Sequence, residues 1–378
     1  LENLRKGQSI IPAIPPIPGT EITQPTNQDL EEIFSPKKDG WLKIGNLLRN
    51  KKIEAKINLD KIVSRHLGIL AMTGMGKSNL VSLITKKISE VKGTVIIFDY
   101  HNDYTTLNIP NVNVIDAKIN PRLLEADQFS DVLEIRENAD VQQRVLRMSF
   151  TQEVKEAGEF WNKLEYEVAS LVNSEDKKLK EIRTSAYRVQ DIIEDAQRRF
   201  DDILDPEIGN PMDYIKEGYT NIINISELSE KQANVAMGFY LQQLLKDRKN
   251  ATIAKHGKSK KQKDYKFFEP VFIILEEAHV FIPKDHDTAA KYWAAKIARE
   301  GRKFGVGLAI VSQRPRSVDL NILSQMGSFA IMKIIQEDDQ RQIASATEST
   351  SRELISQLTS LNVGDAVLVG QWTNLPSM

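Results

Sequence analysis

The chain of 378 residues contains no cysteine. That removes disulfides, thiol nucleophiles and thiolate zinc sites from the chemistry open to it. Histidine is scarce, with five scattered copies, so a histidine-built metal centre is not expected either. An excess of charge of one sign is lacking too: 51 basic residues face 52 acidic ones, for a formal net charge of −1. A chain so balanced has no global attraction for nucleic acid, and any contact with a polyanion must come from local basic patches. No run of about 18 apolar residues occurs, so no membrane-spanning helix is expected. The first residues have no signal-peptide core, because Ile10–Pro18 is broken by prolines. The expectation is a soluble, cytoplasmic protein. Charged residues at 27% and apolar residues at 41% are those of a globular chain, with length for two or three domains or one large α/β core with insertions.

The organisation follows from periodicity. Residues 1–60 read as a lead-in, polyproline-like at first and then alternating as exposed strands from Trp41 to Asp60, the remnant of a small N-terminal β-domain. From residue 61 to 119, short continuous apolar runs (Leu67–Leu70, Thr94–Asp99, Val112–Asp116) mark strands buried on both faces of a parallel sheet. Residues 120–215 are charged and helical. Trp161, Leu164, Val168 and Leu171 form one stripe there, and Val189, Ile192, Ile193, Ala196 and Phe200 another. From 216 to 378 the strand–helix alternation resumes, with a helix opened by the capping box of Ser229 and Gln232. Alternation of this kind predicts a mostly parallel sheet with helices on both faces.

The strongest signal is Leu67-Gly-Ile-Leu-Ala-Met-Thr-Gly-Met-Gly-Lys-Ser-Asn79, an apolar strand, a glycine-bearing turn and a helix opened by Lys and Ser. Backbone N–H groups of Thr73, Gly74, Met75, Gly76, Lys77 and Ser78 can wrap nucleotide phosphates at the positive end of the helix, with Asn79 completing the turn. Lys77 would reach the β- and γ-phosphates, and the Ser78 hydroxyl would hold Mg²⁺. Ala71 stands where the usual pattern has its first glycine. A strand-end alanine suffices if Gly74 and Gly76 make the turn.

Val271-Phe-Ile-Ile-Leu275 ends in two carboxylates. Glu276 would hold Mg²⁺ through its water shell, and Glu277 would polarise the water that attacks the γ-phosphate. After the next buried strand, Gln313 can report on the γ-phosphate, or it can be part of a simple turn before Pro315. Asp99-Tyr-His-Asn-Asp-Tyr104 follows another strand. Either Asp99 or Asp103 could assist metal or water there, and His101 reads equally as a loop residue. Arg302 follows Gly301 at a helix end, where a guanidinium on a subunit edge could neutralise a neighbour's γ-phosphate in trans.

Together, Arg65-His66 before Met-Thr-Gly-Met-Gly-Lys-Ser, the Asp-x-His-x-Asp-Tyr tract, Leu-Glu-Glu-Ala-His, Arg-Glu-Gly-Arg-Lys-Phe-Gly and Ser-Gln-Arg-Pro resemble the HerA branch of the HerA–FtsK ATPases. The final Leu-Asn-Val-Gly-Asp-Ala-Val-Leu-Val-Gly is also similar to that family, so the resemblance covers about residues 40–371. It implies a RecA-like P-loop core split by a helical insertion, with a remnant of an N-terminal β-barrel. It implies ATP and Mg²⁺ as cofactors, a homo-hexameric ring around double-stranded DNA, and a NurA-type nuclease as partner in resecting broken DNA ends in archaea. Carried over by position, Lys77 and Ser78 are the phosphate and Mg²⁺ ligands, Glu277 the catalytic glutamate, Gln313 the sensor, Arg302 the finger in trans and Arg65 a second nucleotide-contacting arginine, while Asp103 is a catalytic candidate from its place in the tract after the strand. A conjugative or chromosome-segregation DNA pump, or a nucleotide switch without translocation, remains an alternative. For DNA contact, the basic run around Lys258, Lys260, Lys261 and Lys263 is either pore-lining or a solvated surface loop.

Overall fold

The computed structural model describes residues 17–19, 21, 24–136, 138–173, 182–201, 203–255, 265–347 and 351–378. Its centre is an eight-stranded sheet. In chain order the strands are β3 (Leu67–Leu70), β4 (Thr94–Asp99), β5 (Val112–Asp116), β6 (Thr220–Asn224), β7 (Val271–Leu275), β8 (Val306–Ser312), β9 (Ser328–Ile331) and β10 (Val367–Gly370). Their order across the sheet is β10-β9-β3-β8-β7-β4-β6-β5. All neighbours are parallel except β10, which runs against β9. The near-continuous apolar runs fit this placement, for every residue of β3, β4, β7, β8 and β9 is buried.

Alternate residues of one strand go to opposite faces. Ile96, Phe98, Ile273, Leu275, Leu308 and Ile310 enter one core, and Ile69, Val95, Ile97, Phe272, Ile274 and Val311 enter the other. The second core is covered by α2 (Leu59–Arg65) and α3 (Lys77–Glu90). The first takes the helices of the intervening segment: α4 (Ala126–Val132), α5 (Asp140–Ser149), α6 (Gln152–Glu156), α7 (Phe160–Asn173) and α8 (Arg183–Arg199). Leu164 and Val168 of α7 and Val189, Ile193 and Ala196 of α8 are buried in it, so this helical segment shares a core with the sheet.

The same face holds α9 (Glu230–Lys255) and, after the four-residue α10 (Ala278–Phe281), α11 (Ala289–Phe304). The expected capping box opens α9: the Ser229 N–H donates to Gln232 (2.9 Å), and the Gln232 N–H to the Ser229 hydroxyl (3.4 Å). Buried Arg248 on α9 donates to the carbonyls of Phe304, Phe267 and Phe268, pinning the end of α11 and the approach to β7. Short α12 (Leu320–Leu323), α13 (Glu337–Ala346) and α14 (Arg352–Gln357) complete the chain.

The residues ahead of the sheet form α1 (Asn27–Phe34) and an antiparallel hairpin of β1 (Trp41–Leu47) and β2 (Asn50–Asn58). Leu47, Ile53 and Ala55 make a small core there against Leu30 and Phe34. Among the described residues no third strand joins this hairpin, so a two-stranded sheet stands where a barrel remnant was expected. Lys258, Lys260, Lys261 and Lys263 lie outside the described residues. Of their basic flanks, Lys255 sits over the Phe268 ring and Lys266 donates to the carbonyls of Met212 and Asp213. No helix among the described residues is long and apolar enough to cross a membrane.

Candidate nucleotide site

Because β3, β4, β7 and β8 are parallel, their carboxyl ends converge on one edge. Leu70 lies opposite Ser312, Leu275 opposite Ile310, and Phe98 opposite Leu275. The loop after β3 is pinned on both sides. Ala71 N–H donates to the Ser312 carbonyl (3.2 Å), Met72 N–H to that of Lys333 (3.1 Å), and Gly364 N–H to that of Met75 (3.1 Å). Ala71 thus simply prolongs the strand. The turn is made by Gly74 (φ 79°) and Gly76 (φ 104°), in the left-handed region where an L side chain is strained. Lys77 opens α3 with its side chain buried, and the free N–H groups of the first helical turn face the loop.

Asp99, fully buried at the end of β4, accepts from the N–H groups of Asp103 (3.0 Å) and Tyr104 (2.8 Å). Burial raises its pKa against the lowering effect of those bonds. Of the two aspartates read as alternatives, Asp99 holds the turn, whereas Asp103 faces the Ser78 hydroxyl at 3.4 Å. The same turn buries Tyr104 and aims its hydroxyl at Glu276, to which it donates.

The adjacent glutamates differ in surroundings. Glu276 is buried, and desolvation, aided by the charge of Glu277, pushes its carboxyl up to about 7 despite the Tyr104 bond and Lys77. Burial also raises Glu277, but His279, Lys77 and His101 outweigh it, and the group lies below the ordinary value. His279 Nδ1 is 3.1 Å and His101 Nε2 3.9 Å from its oxygens. Glu277 stands at φ 43°, ψ 45°, a left-handed conformation that costs a non-glycine residue roughly 1–2 kcal/mol. The strand therefore breaks sharply at this residue, and its carboxylate is an anion at the sheet edge.

β8 lies between β3 and β7, so Gln313 at its tip sits between the loop and the glutamates. Its side-chain oxygen accepts from the Thr73 hydroxyl. Ser312 Oγ lies 3.3 Å from His279 Nδ1 and accepts from the Arg314 N–H (3.1 Å).

The described residues hold no cluster of three or more His, Asp or Glu side chains able to cage a metal by itself. The oxygen donors at the edge, Ser78 with Asp103 beside it and Glu276, instead suit a hard ion such as Mg²⁺, which usually takes one or two protein ligands and completes its shell with phosphate and water.

Arg65 and Arg302 are not brought to this edge. Arg65 ends α2 just before β3, and Arg302 lies in the last turn of α11 just before β8, both at the amino edge. The four residues of β3 alone separate Arg65 from the loop by about 13 Å. α10 and most of α11 intervene between Glu277 and Arg302, and the 16 residues of α11 span about 24 Å. The two arginines share a neighbourhood: a Cβ on Gly301 would lie 3.5 Å from the imidazole of His66. His66 is buried, accepts from the Leu308 N–H (3.0 Å) and bonds the Ala298 backbone, tying β8 to α11. Burial brings its pKa down to about 4.

The sequence reading missed the positions of Tyr104, His279 and His66. The first two lie inside tracts already singled out, where an aromatic or imidazole beside carboxylates was the available signal. His66 entered only as part of the Arg65-His66 pair before an apolar strand, and nothing there pointed to its bonds to β8 and α11.

A family model described as "Helicase HerA, central domain" matches residues 42–244. "DNA double-strand break repair helicase HerA" of Sulfurisphaera tokodaii is 40% identical over 377 aligned positions, covering 97% of this chain and 74% of that protein. The protein of the same name from Sulfolobus acidocaldarius is 38% identical, covering 98% and 74%. Among solved structures, VirB4 of Thermoanaerobacter pseudethanolicus superposes with a TM-score of 0.60 at 14% identity, covering 90% of this chain and 96% of that one. The plasmid coupling protein TrwB in complex with ADP and Mg²⁺ gives 0.56 at 12% identity, covering 93% and 92%. These two are likenesses of fold.

Proposed function

This chain belongs to the HerA helicase family, and we propose that it is an ATP-driven motor on double-stranded DNA that serves the repair of double-strand breaks. The observation that carries the reading is the insertion of β8 between β3 and β7. It makes neighbours of the strand ends that carry Lys77 and Ser78, Gln313, and the Glu276–Glu277 pair along one sheet edge. The relatives' names favour repair over a conjugative pump. Residues 61–119 and 216–378 are read as the two halves of the motor core, with 120–215 as the insertion.

In this reading the loop residues Thr73, Gly74, Met75, Gly76, Lys77, Ser78 and Asn79 bind ATP. Ser78 and, through water, Glu276 would hold Mg²⁺, whose chemistry there would be to offset phosphate charge. Glu277, kept anionic beside His279, orients the attacking water and takes its proton. Gln313 senses the γ-phosphate and relays its presence to the loop through Thr73. Asp103 orders the Ser78 hydroxyl. Arg302 and Arg65 act on a neighbouring subunit's nucleotide, since their own lies at the far edge. That separation supports an assembly of several copies, read as a homo-hexamer around duplex DNA. The NurA-type nuclease partner, the cytoplasmic setting and the DNA contacts of Lys258, Lys260, Lys261 and Lys263 follow from the family resemblance and the sequence.

Two measurements test the reading. Linear duplex DNA should raise the ATPase rate several-fold, and the chain with Mg·ATP should run at hexamer size in sedimentation. An ATPase indifferent to duplex DNA would leave only a nucleotide switch.

A further inference from the structure

Resting on the nucleotide reading above, we propose that His279 is a positioning residue for Glu277, and that Ser312 at the tip of β8 competes with Glu277 for its ring nitrogen. Oε2 of Glu277 is buried and accepts no hydrogen bond, although His279 Nδ1 is only 3.1 Å away. The separation suits a hydrogen bond, but the nitrogen is not aimed along it. The same nitrogen is instead engaged with the Ser312 hydroxyl, at 3.3 Å. The two contacts exclude each other. A carboxylate can only accept, so Nδ1 must carry its hydrogen to serve Glu277, and one N–H serves one acceptor at full strength. The Ser312 hydroxyl can accept from Nδ1–H or donate to a bare Nδ1. In either tautomer its bond withdraws the nitrogen from Glu277.

The place of Ser312 gives the competition a consequence. Ser312 is the last residue of β8 and fully buried, and Gln313 follows it directly. The Gln313 side chain accepts from the Thr73 hydroxyl of the phosphate loop. A γ-phosphate that takes Gln313 from Thr73 also moves the strand tip that carries Ser312. Nδ1 lies almost equally far from its two acceptors, so a small rotation of the imidazole passes it from one to the other. The backbone of Glu277 is fixed by its left-handed conformation, and aiming the carboxylate is left to its side-chain partners. Glu277 is therefore directed at water when the phosphate to be attacked is in place, and is left unsupported when it is not.

Steady-state ATPase kinetics with Mg²⁺ test this on wild type, His279→Ala, His279→Asn, His279→Gln and Ser312→Ala. The Asn amide nitrogen falls near the place of Nδ1, and that of Gln near Nε2, so the two amides separate the donor from the bulk. His279→Ala and His279→Gln should lower kcat by about 10- to 100-fold with KM nearly unchanged, the size expected when a reacting group is misaimed. His279→Asn should recover most of the rate. Ser312→Ala frees Nδ1 for Glu277 and should raise kcat measured without DNA several-fold. The Asn–Gln pair carries the test even if His279→Ala fails to fold. Equal losses in Asn and Gln, or a loss seen in KM alone, would make His279 a packing residue. A Ser312→Ala rate equal to or below wild type would overturn the competition. Failure of the underlying nucleotide reading looks different: wild type would not hydrolyse ATP, or Glu277→Gln would hydrolyse it as wild type does.

Discussion

The two edges of the central sheet are built on opposite plans. At the carboxyl edge polar side chains are cross-braced within the chain: Asp99 to its own turn, Tyr104 to Glu276, Asp103 to Ser78, and Gln313 to Thr73. At the amino edge the buried polar side chains His66 and Arg248 are tied to backbone, and among the described residues neither Arg65 nor Arg302 has a carboxylate partner. Arg302 is exposed. Bracing on one edge fixes groups in place for chemistry. Cations left without a counter-charge on the other edge are available to an anion that the subunit itself does not carry.

The largest effects should come from breaking the braced edge. Lys77→Ala should abolish measurable ATP binding, and Glu277→Gln should bind ATP normally while turnover falls by roughly three orders of magnitude or more, as single-turnover hydrolysis would reveal. Hydrolysis within a few-fold of wild type would move the general base to Glu276 or Asp103.

The next test crosses the edges. Arg302→Ala should hydrolyse ATP about a thousandfold more slowly with nearly intact affinity. Mixing it with Glu277→Gln subunits should restore part of the ATPase, because some interfaces pair an intact Glu277 with an intact Arg302. No recovery in mixed assemblies shown to form would place Arg302 in its own subunit's chemistry.

A smaller effect is expected at Tyr104→Phe. Removing the hydroxyl leaves the buried Glu276 carboxylate short of a donor, and the Mg²⁺ concentration for half-maximal activity should rise by about tenfold. ATP affinity measured without Mg²⁺ should not change. Equal loss in both measurements would make Tyr104 a packing residue only.

The last test belongs to the amino edge and reads stability against pH, not activity. His66 has a pKa near 4 in the folded chain, below its ordinary value of 6.5. The unfolded chain therefore binds more protons between these values. The contribution of His66 is present in full above pH 6.5 and is lost as pH falls toward 4, by up to about 3 kcal/mol. Denaturant midpoints should decline over that window, and His66→Gln should flatten the decline.

Much of the carboxyl edge was legible in the sequence because its parts are local. An apolar run, two glycines and Lys-Ser specify a phosphate loop within thirteen residues, and the strand-end carboxylates are read in the same way. What could not be read was adjacency. Nothing in the periodicity of Val306–Ser312 says that it lies between Leu67–Leu70 and Val271–Leu275, and it is this that brings Gln313 to Thr73. Arg65 shows the same limit: thirteen residues from Ser78 along the chain, it sits across the full height of the sheet from it. Tyr104 was inside a tract already noted, yet its partner Glu276 is far away in sequence, and only the β4–β7 pairing joins them.

The placement of loop and arginines on opposite edges also constrains symmetry. A two-fold axis uses one and the same patch of both copies, so it could complete the site only if loop and arginines shared a face, and they lie on opposite edges. If one copy's amino edge completes the next copy's nucleotide site, the contact is head-to-tail, and every copy has one donor face and one acceptor face. Such contacts either close into a ring or continue as a filament. A closed ring has no end subunit left with an incomplete site, whereas an open chain always has one.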